Sequence, residues 1–437
     1  MKTLNAAIFI FCSLLMISCQ NIKSEKIDDT ESSFDVFSPT PTEEISRVSL
    51  SEKQTEYVNT SNDMAFKLIN KLYNDDNLVC SPLSLQYAMA MTANGASGET
   101  LEEITSFLGF EANEMNELNR FYKILLEQLP AVDLDITLKA VDALLVNDKF
   151  PLLPSYKNLV EDNYYAAVEN MDFSNPSDVV TRLNEWAGLN TNGVINNIIN
   201  PEELSDYAAA YILNALYFKA EWEGSVDNPM FIENNTESAD FQLSNGTAIS
   251  AEMMKSVRYY QYAEMDGYKV LVLPYAQGKY NMYVLLPDEN DINGLIEKIQ
   301  QTTWSEILAN LKQDAEVHVQ LPKFEIENKF NLAETLISLG VEKVFQKEDA
   351  ELDNIFDIKL AHDPKVWIEK IIQQTKISVD ERGTEAASVS IEEIGATSPG
   401  PGEDPKIIYF HADHPFMFVI GEKTSGTILF EGVVARP

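Results

Sequence analysis

Four histidines occur in the chain, His318, His362, His411 and His414, and none stands in a recognisable catalytic pattern. A Ser-His-Asp hydrolase of the α/β type carries its serine on a G-x-S-x-G turn. No such turn is present; the nearest stretch, Gly95-Ala96-Ser97-Gly98, has the composition of a helix start. His411, Asp413 and His414 crowd together, but without an H-E-x-x-H pair or a further ligand nearby, so no metal site is expected. Phosphate-binding loops are absent as well. Cys80, in the apolar run Leu78-Val79-Cys80, lacks the electropositive neighbours that make a thiol reactive and reads as a small buried hydrophobe. No catalytic residue, metal or cofactor is therefore expected.

The residues that do promise chemistry run from Val379 through Asp380, Glu381, Arg382, Gly383, Thr384, Glu385, Ala386 and Ala387 to Ser388. They leave an apolar strand and turn small, with no proline. Gly383 can take positive φ without strain, which lets the backbone change direction there. Thr384, Ala386, Ser388 and Ser390 alternate, so all four would share one face if the segment became a strand. Side chains this small can slide between existing strands without overpacking a core that resists extra methylenes. Further on, Ser398-Pro399-Gly400-Pro401-Gly402 resists strand formation and reads as an extended exit.

The elements that must position this segment follow from hydropathy and punctuation. At 437 residues the length alone favours two or three domains. Yet no linker, repeat or low-complexity block interrupts the chain between Tyr57 and Ser398, so one large domain over residues 57–437 is the simpler reading. Its first half reads as mostly helical. Asn62 or Asp63 is expected to cap a helix bearing Phe66, Ile69 and Leu72, Ser81-Pro82 opens a second, and Ser97-Gly98 precedes a third with Leu101, Ile104 and Leu108. Strands are expected at 211–218, 268–274, 280–286, 316–320, 376–380, 416–421 and 427–434, which gives an α+β domain with a large mixed sheet. Lys323, Glu325 and Glu327 alternate and read as the solvated face of one more strand-like stretch.

The N-terminus reads as a processing signal over residues 1–18. Lys2 supplies the positive region, and the apolar run from Ala6 to Ile17 is too short for a membrane-spanning helix, which needs about 20 residues. Leu15-Met16-Ile17-Ser18-Cys19 resembles a lipobox, with Cys19 as the acylated residue. Gln20 and Asn21 favour the outer membrane of a bacterial envelope. Residues 19–56, polar and carrying Pro39 and Pro41, read as the lipidated cysteine and a flexible tether. Only Cys12, Cys19 and Cys80 exist, so no intramolecular disulfide is expected in the mature chain. The net charge of −37 argues against nucleic acid, and equally against a glycosaminoglycan cofactor. It suits a soluble, monomeric exported protein.

The segment 379–388 resembles the hinge of an inhibitory serpin, and Phe410-His411-Ala412-Asp413-His414-Pro415-Phe416-Met417-Phe418-Val419-Ile420 resembles the serpin signature. Agreement extends over about Tyr57 to Pro437. Asn77 to Ile104 is similar to the family's long buried helix and its successor. Asn184-Glu185-Trp186 is similar to the helix over the main sheet, and Asn214 to Trp222 to the strand that ends at the top of that sheet. The resemblance implies a single α+β domain with a large mixed main sheet, further sheets, about eight or nine helices, and an exposed reactive loop near 381–405. It implies an irreversible peptidase inhibitor, not an enzyme, which traps its target by inserting the cleaved loop into the main sheet. Roughly a dozen new main-chain bonds at about 0.5–1.5 kcal/mol each would supply on the order of 10 kcal/mol.

Residue roles carry over in the same way. Glu381, Gly383, Thr384, Ala386, Ala387 and Ser388 form the hinge. Trp222 marks the breach where the loop enters, and Ser81, Ser84, Asn214 and Gln373 form the shutter beneath the sheet centre. Gln373 departs from the histidine common there, and an amide cannot ionise, so this position gives no pH-dependent opening. Counting seventeen residues inclusively from Glu381, the reactive bond falls at Thr397-Ser398, with Ile394, Gly395 and Ala396 as bait subsites. No basic residue stands at the cut, so elastase-like or subtilisin-like serine endopeptidases, and papain-like cysteine ones, are favoured over trypsin-like targets. Glu392 falls in the same alternation as Thr384, and burying it unpaired would be costly. Either it lies at the sheet's rim or the register changes there. A non-inhibitory serpin would carry bulky, charged or proline residues where Thr384 to Ser390 stand, and a secreted hydrolase would need the missing histidine pattern.

Overall fold

A helix that is apolar on every side has to be wrapped by other elements, and Pro82–Gly95 is that helix, with thirteen of its fourteen residues buried. Ser81 caps it by accepting from the Ser84 amide at 3.2 Å, and Pro82 stands in the first turn, where no N–H is needed. The computed structural model describes residues 39, 41–205, 208–225, 227–357, 365–384 and 406–437. These include nine α-helices and sixteen strands in three sheets, so the expected α+β class holds. All of them fall within one compact unit.

Six strands make the main sheet, in the order Phe324–Asn331, Ile372–Val379, Gly383–Thr384, Ala210–Glu221, Thr137–Asn147 and Ala167–Met171. The long strand Ala210–Glu221 alternates between two cores. Ile212, Leu216, Phe218 and Ala220 pack into the core around the buried helix. Tyr211, Leu213 and Ala215 pack under Trp186, Leu183 and Val179 of the helix Pro176–Asn190, on the opposite face. Both faces of this central strand are thus covered, and it reads as a near-continuous apolar run rather than an alternating one. The sheet is mixed, since Ile372–Val379 runs parallel to Ala210–Glu221 while Thr137–Asn147 runs antiparallel to it.

The second six-stranded sheet runs Leu78–Cys80, Ile428–Val434, Phe416–Glu422, Tyr280–Pro287, Tyr268–Tyr275 and Tyr262–Met265. A four-stranded sheet holds Ile407–His411, Glu316–Pro322, Ala248–Arg258 and Glu237–Gln242. Every strand expected from sequence is present. Thr137–Asn147 and Ala167–Met171 were not expected, because Lys139 and Asp142 break the hydropathy of the first and the second is only five residues long.

Two expectations about the N-terminal region are corrected. The first helix spans Glu52–Leu72 and starts on a Ser51/Gln54 capping box, not at Asn62 or Asp63. Asn62 is buried within that helix, where its side chain donates to the Gly426 carbonyl at 2.9 Å and accepts from the Ile428 amide at 3.2 Å. The tether expected to reach residue 56 ends sooner. The Ile45 amide bonds the Ala131 carbonyl at 2.8 Å and Val48 is buried, so isolated apolar residues between acidic ones already dock the chain on the body. Cys19 lies outside the described residues. Among the described residues no helix is long and apolar enough to cross a membrane.

Candidate functional site

The main sheet contains a seam. Ile372–Val379 and Ala210–Glu221 pair directly at only two positions, Ile372 with Leu213 and Gln373 with Asn214. At the opposite end the two-residue strand Gly383–Thr384 stands between them, pairing Thr384 with Val379 on one side and with Ala220 on the other. Between those two closures no described residue pairs with Gln374 to Ser378 on this side.

The chain enters the seam through a tight turn. Asp380 Oδ1 accepts from the Arg382 amide at 2.8 Å and the Gly383 amide at 3.3 Å, and the Asp380 amide donates to the Gly383 carbonyl at 3.0 Å. Gly383 has φ of 153°, and a Cβ there would lie 2.1 Å from the Ala220 carbonyl oxygen. Only glycine permits this approach of backbone to backbone.

Glu381 is pinned beside the turn. Its carboxylate pairs with Lys323 Nζ at 2.7 Å and accepts from Thr236 Oγ1 at 2.6 Å, with 9% of the side chain exposed. Burial pushes its carboxyl up, but the bonds from Lys323 and Thr236 outweigh this and hold it below the usual range. Lys323 therefore does more than sit on a solvated face, whereas Glu325 and Glu327 are exposed and pair with Lys376 at 2.9 and 3.8 Å.

Thr384 is 2% exposed and exchanges a 2.6 Å hydrogen bond with the Tyr275 hydroxyl. Burial drives the Tyr275 phenol far above its ordinary value, so it stays neutral. Trp222 stacks on the Tyr275 ring at 4.5 Å and 8°, donates from Nε1 to the Asp380 carbonyl at 2.8 Å, and receives Phe231 edge-on. Its own amide bonds the Arg382 carbonyl. The fold thus gathers Trp222, Glu381, Gly383 and Thr384 at one mouth, where sequence had spaced Trp222 far from the rest.

The lower closure is built from polar groups. Gln373 Oε1 accepts from the Ser81 amide at 3.0 Å while its Nε2 donates to the Ser81 carbonyl at 2.8 Å. Only a side chain with both a donor and an acceptor can make this two-point clamp on one residue's backbone. Ser81 Oγ in turn donates to the Leu429 carbonyl at 2.8 Å. Ser84, Asn214 and Gln373 line one small cavity together with Leu85 and Ile212. The Asn214 side chain bonds Asp142, which sequence had not singled out. Asp142, Lys323, Thr236 and Tyr275 are brought in from four separate stretches, and no local sequence signal marks them.

Other expected residues are also placed. Cys80 is buried with its Sγ 3.6 Å from Glu431 Oε1, and burial pushes its thiol up, away from reactivity. His414 has both ring nitrogens engaged, by Asp413 at 2.8 Å and the Pro287 carbonyl at 2.9 Å. Ala386, Ala387, Ser388, Ile394, Gly395, Ala396, Thr397 and Ser398 lie outside the described residues.

A family model described as Serpin (serine protease inhibitor) matches residues 59–437. Intracellular coagulation inhibitor 1 of Tachypleus tridentatus is 34% identical over 387 residues, covering 86% of this chain and 88% of that protein. Among solved structures, the thermophilic serpin tengpin in its native state superposes with a TM-score of 0.77 at 27% identity, over 92% of this chain and 98% of its own. Thyroxine-binding globulin in complex with thyroxine has a TM-score of 0.75 at 25% identity, over 87% of this chain and 99% of that one.

Proposed function

The chain belongs to the serpin family, and from that premise we propose that it is an inhibitory member, an irreversible suicide inhibitor of serine endopeptidases that also accepts papain-like cysteine ones. The observation that carries this reading is the half-closed seam with Thr384 already seated at its mouth. The registers on the two sides agree. Thr384 faces Ala220 and Val379, and on an unbroken register each further loop residue would face a partner one position earlier on both strands. On that register Ala386 would fall between Phe218 and Ile377, Ser388 between Leu216 and Thr375, and Ser390 between Asn214 and Gln373. The last pair is the one joined directly in the lower closure. Loop entry would therefore proceed without a slip until it reached the two-point clamp.

The mechanism we infer is that of an inhibitory serpin, and the register above supports it. A peptidase attacks the bait at Thr397-Ser398 and is held as an acyl-enzyme. Thr384 leads the freed segment into the seam, each new strand residue adding main-chain bonds on both sides. The gain, on the order of 10 kcal/mol, matches the stability of a whole domain and suffices to distort the captured enzyme. Ile394, Gly395, Ala396 and Thr397 offer a small, uncharged bait that suits elastase-like and subtilisin-like pockets. Cys19, carrying the lipid, would hold the inhibitor at a cell envelope, and outer-membrane residence fits Gln20 and Asn21. Monomeric action needs no nucleic acid or glycosaminoglycan.

The test is incubation with pancreatic-type elastase or subtilisin. A covalent complex that survives denaturing electrophoresis is expected, with release of a C-terminal peptide beginning at Ser398. A peptide that starts two or more residues away would sink the bait assignment, and complete turnover without complex would sink the inhibitory reading.

A further inference from the structure

Asp142 lies in the middle of the strand Thr137–Asn147, directly opposite Asn214, and no part of it reaches solvent. Asn214 Nδ2 donates to Asp142 Oδ1 at 2.6 Å. The remaining oxygen of each side chain, Asp142 Oδ2 and Asn214 Oδ1, is buried without a partner. Both are acceptors if Asp142 is ionised, so neither can satisfy the other. One proton on Oδ2 resolves both, because the acid then donates to Asn214 Oδ1 and closes a ring of two hydrogen bonds.

The surroundings favour that proton. From the helix Pro82–Gly95 the fully buried Tyr87 lies within electrostatic reach of the carboxyl, but no hydrogen bond joins the two. From the helix Pro154–Tyr164 the Tyr164 hydroxyl lies within electrostatic reach but donates to Asn119 at 2.6 Å, with Tyr122 of Met115–Gln128 behind it. Neither cation nor second carboxylate acts on the group. Burial pushes its carboxyl up to about 7, against the Asn214 bond, which pulls the other way.

We propose that Asp142 is a positioning residue of the seam that carries a proton in the native chain: the neutral acid clamps the Asn214 carboxamide at two points where the central strand meets Gln373, and loss of the proton leaves only the bond from Asn214 Nδ2, with two buried acceptors unpaired. Gln373 cannot titrate, so the pH response of the lower closure resides in Asp142. The sign is fixed by linkage. The folded value lies above the unfolded one, so the contribution to native stability is fully present below about pH 4, is lost as pH rises toward about 7, and is flat beyond. This concerns the intact chain and stands whether or not a peptidase is trapped.

The test compares thermal midpoints of the full wild-type chain and Asp142→Asn between about pH 4.5 and about pH 8. Asparagine reproduces the neutral acid, with an N–H for Asn214 Oδ1 and a carbonyl for Asn214 Nδ2. The two curves should coincide at the acid end, and wild type should fall roughly 5–10 °C below the variant at the alkaline end. A merely structural role for Asp142 would shift the whole variant curve, so parallel curves overturn the proposal. Should Asp142→Asn not fold, carbon-13 labelling of the aspartate carboxyls in the wild-type chain decides the matter. One aspartate still protonated at about pH 6.5 is expected, and ionisation of all of them at that pH overturns it.

Discussion

Among the described residues two sheets are each six strands wide, yet they are closed in different ways. In one, Phe416–Glu422 is paired along its length with Ile428–Val434 on one side and Tyr280–Pro287 on the other. Met417, Phe418, Val419 and Ile420 are wholly buried there. In the main sheet, Ile372–Val379 and Ala210–Glu221 are nearly as buried, although the first carries Gln373, Gln374, Thr375 and Lys376, but they meet directly at two positions and share a wedge, Gly383–Thr384, at the far end. Burial alone therefore does not distinguish the fully paired sheet from the partly paired one. The difference lies in main-chain pairing, continuous in one sheet and limited in the other to Ile372, Gln373 and the wedge, and on the proposed mechanism the missing pairs are the ones the loop would supply. The unfinished sheet is also where polar side chains gather, with Gln373 clamped on Ser81 and Asn214 bonded to Asp142.

The most damaging way to break this comparison is to block the wedge. Thr384→Arg would place a guanidinium between Val379 and Ala220, at a site with room for one hydroxyl facing Tyr275. An unpaired buried charge is costly enough to stop entry. Inhibition should be lost and replaced by turnover, with the cut site unchanged, as read on a denaturing gel beside the unmodified chain. Inhibition at the normal rate would show that entry does not begin at this position.

A smaller effect sharpens the comparison at the other end. On the shared register Glu392 would land between Ile212 and Ile371, both buried in the core beneath the sheet. Of the two possibilities open from sequence, a water-exposed rim or a changed register, this placement disfavours the first. A carboxylate entering there costs a few kcal/mol. Glu392→Ala should leave the melting of the intact chain unchanged and raise that of the loop-cleaved chain by roughly 5 °C. Equal midpoints for the two cleaved forms would mean that insertion stops above this level or that the register shifts before it.

What was legible in the sequence was whatever sits close together in the chain. The hinge showed itself by a glycine and a run of small alternating residues, and the steric demand at Gly383 is real, since the Ala220 carbonyl leaves no room for a Cβ. The buried helix was readable from Ser81-Pro82 and its apolar run. The start of the first helix was in principle readable too, because Ser51-Glu52-Lys53-Gln54 is a capping box, but the acidic, polar composition around it pointed to a tether. Partners supplied by distant strands left no local trace. Lys323 and Thr236 reach Glu381 only because three separate connections between strands meet at the mouth, and Asp142 looked like an ordinary charge until register set it against Asn214. Such residues are defined by long-range pairing, which hydropathy cannot express.

The most direct test of the unfinished sheet needs no target. Melting curves should be recorded for the intact chain and for chain cut within the loop between Val389 and Thr397. Nicking an ordinary protein is neutral or destabilising. Here the cut frees residues from 385 onward to complete the seam, adding about 10 kcal/mol of main-chain bonding. At about 2 °C per kcal/mol the midpoint should rise by roughly 20 °C. A cleaved form that melts at or below the intact one would contradict the account, because the seam would then hold no bonds in reserve.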